Sequence, residues 1–511
     1  MALLETSTKR DLVLLLDNII FAPKRAAGWE LGFINRSRNQ KPETRKWRTK
    51  SKCTPRVNRQ RKKARLLAKF SHDSEEEEAR RLANEAAIIA AAVGYEIECS
   101  DQPRQRGSRP GRAPNVERLR ESRGKDLMED YFVERLVFPD LDFRQRYRMH
   151  RPLFESILTA ATQYDDYFIQ KADALGMLGL SPYQKLTCAL RMLAYGAGAN
   201  QCAEITRMGD STALKSLKRF CRAIEGIYTS YYLRSPTPED LRRLLKKTRR
   251  RGFPGMLGSI DCMHWQWKNC PTAWAGAYSG CKGYPTIILE AVASYDTYIW
   301  HVFFGMLSSC NDLNVLGQSP VFNDLTAGVA PRFKYKVNQK DFDMGYYLAD
   351  EIYPKWHTFV KTIPRPTNEM QQHFSKKQEG YRKDVEICFG ILQACFTILR
   401  GGARLFKKET LRSVMMTCFI LHNMIVEDEQ IDDESNLECD VDGTDSMSLD
   451  VVEEYEQPRN VLPFEPVRVG VNGDNLPGFM DRYDLVQDEY VHQILQENLV
   501  EHNWKIKTGG A

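Results

Sequence analysis

The apolar pattern of this 511-residue chain changes period twice, and its middle stretch most limits the possible folds. From Gly252 to Asp350 the hydrophobic residues run as strands. Met256–Trp267 is followed by Pro285–Tyr295 (PTIILEAVASY) and Thr297–Met306 (TYIWHVFFGM), with Asp296 between the last two, where a tight hairpin turns. A helical segment near Asp312–Asn323 and a short strand Met344–Leu348 come next. The flanks have helical spacing: Phe143–Ala161, Ser181–Tyr195, Gln201–Met208, Ser211–Tyr228 and Thr237–Lys247 before, Tyr381–Leu399 and Glu409–Glu427 after. Three antiparallel strands, a helix, a further strand and more helices predict an α/β core of roughly 175 residues, preceded by a helical region.

Composition excludes several classes. Hydrophobic residues make up 42% of the chain and aromatic residues 10%, enough for a sizeable core. No apolar run reaches the ~18 residues of a membrane helix. The apolar stretch Leu12–Phe21 is interrupted by Asp17 and makes a poor signal peptide. The 13 Cys, odd in number and irregularly spaced, read as reduced thiols of an intracellular protein.

The net charge of +6 conceals two opposed regions. Residues 1–69 carry 19 Lys/Arg against 5 Asp/Glu, and Glu427–Glu456 holds 14 acidic residues with no Lys or Arg. These read as a disordered basic arm, with an Ala-rich helix expected at Ala79–Val93, and a solvated acidic segment. The basic cluster Arg59–Arg65 fits a nuclear-import or nucleic-acid contact, and a plain solvated tail fits it as well. The expected divisions are 1–125 for the arm, 126–251 for a helical DNA-contacting domain, 252–428 for the α/β core and 429–511 for the acidic linker and tail, which carries a final helix at Leu485–Leu499.

In the helical region, Ser181 before Pro182 marks a helix start, and Gly196-Ala-Gly198 a stop. The short helix Gln201–Met208, the turn Gly209-Asp210-Ser211 and a longer helix with Lys215, Lys218, Arg219 and Arg222 outline a helix-turn-helix. Two packed helices with a charged outer face give the same outline. Lys246, Lys247, Arg249, Arg250 and Arg251 form a second basic run just before the strands. It fits phosphate contact, nuclear import or a solvated face.

Carboxylates at strand ends point to chemistry. Asp261 ends the strand in GSIDCMHW, Asp350 ends the strand in YYLADEIYP, and Glu386 sits in the apolar helix YRKDVEICFG. A carboxylate in such a string pairs, neutralises or binds a cation. Three of them at one end of a sheet form an oxygen-only set suited to Mg²⁺ or Mn²⁺. Two such ions about 4 Å apart drive in-line attack on a phosphodiester. Asp at strand ends also simply turns the chain. Cys262, His264, Cys270 and Cys281 are close in sequence, but their spacing fits no standard zinc finger. Trp265, Trp267 and Trp274 flank Lys268, and either stack on an unpaired base or belong to the core.

From about residue 130 to 430 the chain resembles the plant PIF/Harbinger DDE transposases. The resemblance runs in order through GFPGMLGSIDCMHWQWKN and Cys270-Pro-Thr-Ala-Trp274, then TIILEAVASYDTYIWHVFFGM, Asn311–Leu316 and MGYYLADEIYPKW, and ends with RKDVEICFGILQACF and Leu421–Glu429. It implies an RNase H-like catalytic core, with Asp261 as first-strand, Asp350 as fourth-strand and Glu386 as helix ligand of a divalent metal. Asp312 joins them as a metal ligand only through this resemblance; a helix N-cap is its rival role. The 35 residues between Asp350 and Glu386 match the DD35E spacing. The implied activity is DNA cleavage followed by strand transfer. Expected partners are DNA, a Myb-like accessory protein and a second copy of the chain, with no membrane, and the expected location is the nucleus. Glu351 stands where the family has Gly, and Ile387 and Cys395 where basic residues are usual. These departures remove backbone freedom and phosphate contacts, and so raise the rival reading of a domesticated, non-catalytic DNA- or protein-binding factor.

Overall fold

A capping box starts two helices of the helical region, as their sequences dictate. Ser181 Oγ accepts the Gln184 N–H while the Gln184 side chain accepts the Ser181 N–H, and Thr237 and Asp240 do the same. The computed structural model describes residues 117–434 and 482–509, apart from 281, 309, 328–329 and 331–332. Residues 1–116 of the expected arm, with its Ala79–Val93 helix, and most of the acidic segment lie outside the described residues, while the last residues of the arm, expected to be disordered, enter a helix at Arg120.

In chain order, the first helices are α1 (Arg120–Tyr131), α2 (Asp140–Tyr147), α3 (Arg151–Tyr164), α4 (Pro182–Tyr195), α5 (Ala199–Thr206), α6 (Asp210–Tyr232) and α7 (Pro238–Arg250). Then come β1 (Met256–Gln266), α8 (Thr272–Tyr278), β2 (Thr286–Ala293), β3 (Ile299–Leu307), α9 (Asp312–Leu316) and α10 (Asn323–Ala327). The short strands β4 (Tyr335–Val337), β5 (Lys340–Phe342), β6 (Tyr346–Leu348) and β7 (Phe359–Val360) follow. The last helices are α11 (Glu369–Arg382), α12 (Asp384–Cys395), α13 (Thr397–Arg400), α14 (Lys408–Glu434) and α15 (Glu489–Thr508).

The fold is mixed α/β. Its main sheet has the order β3-β2-β1-β6-β7, and β4 and β5 pair separately. β1 pairs antiparallel with β2, and β2 with β3, whereas β6 runs parallel to β1 and β7 parallel to β6. The three long strands and the helix after them lie where the periodicity puts them. β4, β5 and β7, at two or three residues each, are too short to leave a period-2 signature.

Two expected helices are divided. Phe143–Ala161 becomes α2 and α3, because Arg148 takes the left-handed conformation (φ 65°) and Pro152 can start a helix but not continue one. Tyr381–Leu399 becomes the end of α11, then α12 and α13, with breaks at Lys383 and at Phe396, which leaves helical geometry to bury its ring.

One face of the sheet shares a continuous core with the helical region. Trp265, Ile287, Leu289 and Ala291 pack in the same cluster as Phe143, Phe154 and Leu193, with Phe419 of α14. Ile260 and Val292 on the other face pack with Ala349, Tyr353 and Phe359. Both sheet edges are blunted, which an exposed strand requires. On the β3 side, the buried Asn423 of α14 accepts the Ile299 N–H and donates to the carbonyls of Ile299 and Tyr232. On the β7 side, Gln378 donates to the carbonyls of Ala349 and Val360, and α15 packs Leu495 and Leu499 beside Val360. Among the described residues no helix is long and apolar enough to cross a membrane.

Candidate active site

β1 alternates its side chains between two faces, so Ser259 and Asp261 share one face and Cys262 and His264 the other. Ser259 ties the glutamate helix to this strand, its Oγ accepting the Val385 N–H at 3.2 Å. That bond brings the first turn of α12, and Glu386 in it, alongside Asp261. Arg382, four residues before Glu386, links the two carboxylates: Nη1 lies 2.8 Å from Glu386 Oε1 and 3.6 Å from Asp261 Oδ2.

Asp350 arrives by register. The last paired residues of β1 and β6 are Ser259 and Leu348, and Asp261 and Asp350 each lie two residues further on. Adjacent parallel strands run about 5 Å apart, so the two aspartates stand at the same level. Asp350 lies just past β6, whereas Asp261, expected to end its strand, lies within β1 and is still paired with Ala291, because β2 continues beside it to Gln266. Each is held in the same way, one carboxylate oxygen accepting the next residue's N–H at 2.7 Å, from Cys262 and Glu351 respectively. One oxygen of each is thereby fixed, and the other oxygen of Asp261 is the one that lies near Arg382.

Asp312 opens α9, but it is not the cap. Asn311 accepts the Asn314 N–H and fills that role, which leaves the Asp312 carboxylate free to interact with Cys262. Burial pushes Asp312 above the ordinary carboxylate range; Cys262 and His264 oppose the rise, and Asp350 and Glu290 add to it. Burial likewise pushes Asp261 up to about 6, against the Cys262 N–H and Arg382, with Glu386 and Asp312 adding their negative charge. Asp261 therefore feels Glu386 and Asp312, and Asp312 feels Asp350, and excess negative charge in a partly buried site is the condition that favours a cation. Among the described residues no group of three His, Cys, Asp or Glu side chains stands in metal-coordinating geometry.

The linear sequence misjudges the setting of Glu386. Helical spacing turns Val385, Cys388, Phe389 and Leu392 inward, while Glu386 and Ile387 face out. The apolar string is the helix's buried side, not the glutamate's surroundings. Glu351 does not need the conformational freedom of glycine, since it is not among the residues with positive φ. Ile387, 52% exposed, presents an apolar side chain where the family pattern has a cation.

Two site neighbours escaped the sequence reading. Arg382 was signalled only by its position four residues before Glu386. Glu290 looked like part of a continuous apolar strand, yet it is fully buried: one oxygen accepts the Ser319 hydroxyl and lies 3.4 Å from His301 Nε2, and the other has no hydrogen-bond partner.

The zinc alternative fares poorly. His264 contacts Thr286, Cys262 lies 3.6 Å from the Tyr353 hydroxyl, Cys270 bonds the Pro271 carbonyl, and Cys281 is outside the described residues. Trp265 and Trp267 belong to the core, and Trp267 donates to the Leu405 carbonyl, so neither is free to stack on a base. Trp274 packs against Trp267.

The basic residues fall into separate groups. Lys215, Lys218, Arg219 and Arg222 line an open depression of about 450 Å³ on α6. Lys218 and Arg222 are exposed, while Arg219 pairs with Asp165 at 2.8 Å and, like Lys215, lies over the Tyr167 ring. Burial would raise Asp165, but hydrogen bonds from Arg219 and the Tyr167 N–H and the charges of Arg219 and Lys215 outweigh it and hold the carboxyl low. Lys246, Lys247, Arg249 and Arg250 are exposed on α7. Arg251 is engaged within the protein, 2.5 Å from Asp384 and against the Tyr381 ring. Lys268 is exposed just past β1, where its N–H donates to the Ala403 carbonyl.

The chain is similar to known proteins over the region that carries these residues. A family model described as a plant transposon protein matches residues 230–433, and one of a domain of unknown function matches 125–162. "Protein ALP1-like" of Arabidopsis thaliana is 24% identical over 266 residues, which cover 50% of this chain and 64% of that protein. "Putative nuclease HARBI1" of Bos taurus is 24% identical over 258 residues, 48% of this chain and 68% of that protein. No solved structure matches. The transposon-protein match spans the strands and helices that carry Asp261, Asp312, Asp350 and Glu386, and together with the two relatives it supports the Harbinger-type transposase family.

Proposed function

We propose that this chain is a divalent-metal-dependent DNA nuclease and strand transferase of the DDE type, with an RNase H-like core. The observation that carries the reading is the meeting of Asp261 and Glu386 at one guanidinium, with Asp350 leaving the adjacent parallel strand at the same level. The strand order, with three antiparallel strands followed by two parallel to the first, supports an RNase H-like core. Asp261 stands on its first strand, Asp350 follows its fourth and Glu386 lies on a covering helix.

The donor set is all oxygen and the site is short of positive charge, so Mg²⁺ or Mn²⁺ fits, held by Asp261, Asp350 and Glu386 with Asp312 beside them. When bound, such ions supply activation of a water or 3′-hydroxyl and stabilisation of the leaving oxygen. The chain's own groups do the rest. The Cys262 and Glu351 N–H groups fix the rotamers of the two aspartates, Ser259 fixes the helix that carries Glu386, and Tyr353 and Glu290 lie beside Cys262. Lys218 and Arg222 on α6, the exposed residues Lys246, Lys247, Arg249 and Arg250 on α7, and Lys268 are the surfaces offered to phosphates. The short α5, the turn at Arg207–Gly209 and the longer α6 support a helix-turn-helix use of α6. The partners in this reading are DNA, a Myb-like accessory protein and a second copy of the chain, acting in the nucleus.

One observation favours the rival, non-catalytic reading: the exposed Ile387 beside Glu386, which costs the site a phosphate contact. Nicking of supercoiled DNA by the purified chain in Mn²⁺ decides between the two. The catalytic reading expects nicking that is abolished by Asp261→Ala and by Glu386→Gln. No nicking above those variants, with DNA binding intact, makes the chain a binding factor.

A further inference from the structure

The position of Arg382 raises a question that the carboxylates alone do not. It stands on the last turn of α11, is 16% exposed, and points a single nitrogen at two carboxylates from different elements, Glu386 on α12 and Asp261 on β1. A cation bridging Asp261 and Glu386 would take the place of that nitrogen. A guanidinium is permanently charged and planar, so it can hold two carboxylates apart and oriented. It cannot share their facing oxygens with a divalent ion, because the like charges would sit within a few ångströms of each other.

We propose that Arg382 is a built-in counter-ion that holds the metal-free site together and must swing out before a divalent ion can bridge Asp261 and Glu386. The inference rests on the metal-dependent reading above. In the metal-free protein Arg382 offsets the mutual repulsion of Asp261 and Glu386. Ion loading trades this internal pair for the external cation, so every metal-binding event is opposed by the pair it breaks. The arginine is thus a positioning residue that sets the threshold for metal. The start of α12 is also held by the Arg251–Asp384 pair and by the Val385 N–H to Ser259, contacts that do not involve Arg382.

The test is Mn²⁺ binding to the full chain, read by isothermal titration and by the electron paramagnetic resonance signal of free Mn²⁺, with no nucleic acid present. Arg382→Gln removes the competing charge and is expected to bind Mn²⁺ at least tenfold more tightly than the unmodified chain, equivalent to about 1.4 kcal/mol. Its melting temperature in EDTA falls, because the carboxylates lose their counter-ion, and Mn²⁺ raises it by more than in the unmodified chain. Arg382→Lys keeps the charge but on a compact, strongly hydrated ammonium with a flexible stem, which leaves the carboxylates more readily. It covers the case in which the glutamine variant does not fold, and it is expected to bind Mn²⁺ more tightly than the unmodified chain but less tightly than Arg382→Gln. Equal affinity in the unmodified chain and the variants overturns the gate and leaves the metal-dependent reading standing. Weaker binding in the variants also overturns the gate, since Arg382 would then be building the site and not competing for it. Mn²⁺ binding to none of them, or binding unchanged by Asp261→Asn, overturns the gate and the metal-dependent reading together.

Discussion

Asp261→Asn should abolish the proposed nuclease activity and, in the same protein, raise its metal-free stability. The carboxyl is pushed from an ordinary 3.8 up to about 6, by burial first and then by the charges of Glu386 and Asp312, in spite of the Cys262 N–H and Arg382. The difference, at 1.36 kcal/mol per pH unit, amounts to roughly 3 kcal/mol of folding free energy lost when Asp261 is ionised. Its side chain is 20% exposed, and solvent screening trims this to roughly 2 kcal/mol. Below about pH 4 the carboxyl is protonated in both folded and unfolded chains, and no penalty exists. Between about 4 and 6 the unfolded chain has released its proton while the folded chain still holds one, so stability falls as pH rises. Above about 6 the penalty is complete. The asparagine keeps the shape without the charge, so at pH 7.5 in EDTA its melting temperature should exceed that of the unmodified chain by about 4 °C, at ~2 °C per kcal/mol for a chain of this size. The gap should close as the pH is lowered towards 4. Differential scanning fluorimetry across that range reads both effects. An asparagine variant no more stable at pH 7.5, or a gap unchanged at pH 4, would refute the picture of a carboxylate held against its preference for solvent.

Two further outcomes test the frame around the site. Asn423→Ala removes three hydrogen bonds, to Ile299 N, Ile299 O and Tyr232 O, from a fully buried position. The stranded backbone groups on β3 should cost about 3 kcal/mol in urea unfolding, and a loss under about 1 kcal/mol would mean that water replaces the side chain. Lys218→Ala with Arg222→Ala, both on the exposed side of α6, should leave stability within about 0.5 kcal/mol. The pair should also flatten the salt dependence of duplex DNA binding by roughly two phosphate contacts; an unchanged slope would take α6 out of the DNA interface.

Some of the fold was legible because its signals are local. β2 and β3 announce themselves as apolar runs with Asp296 between them, and α4 begins and ends where Ser181, Pro182 and Gly196 place its caps. β4, β5 and β7 were not legible. Strands of two or three residues exist because a neighbour pairs with them and α15 covers them, and neither fact is encoded within so short a stretch. Likewise, Trp265 and Trp267 carry no local sign of being buried. Their fate is set by β2 and by the Leu405 carbonyl, which is distant in the chain.

The site divides along the same line. The sequence by itself determined which residue types are available: Asp261 and Asp350 stand out as carboxylates in and just after apolar strands and Glu386 on an apolar helix, and the long ordered strings around them resemble the Harbinger-type transposases. Tertiary structure alone decided how those groups face one another. It turned Glu386 outward on α12, gave the cap at α9 to Asn311 and so left Asp312 free, spent Arg251 on Asp384, and set Arg382 between two carboxylates more than a hundred residues apart in the chain. The reason is physical. Residue chemistry and helix or strand period are properties of a short segment, whereas a carboxylate's charge, burial and counter-ion depend on which other segments the sheet's register brings beside it.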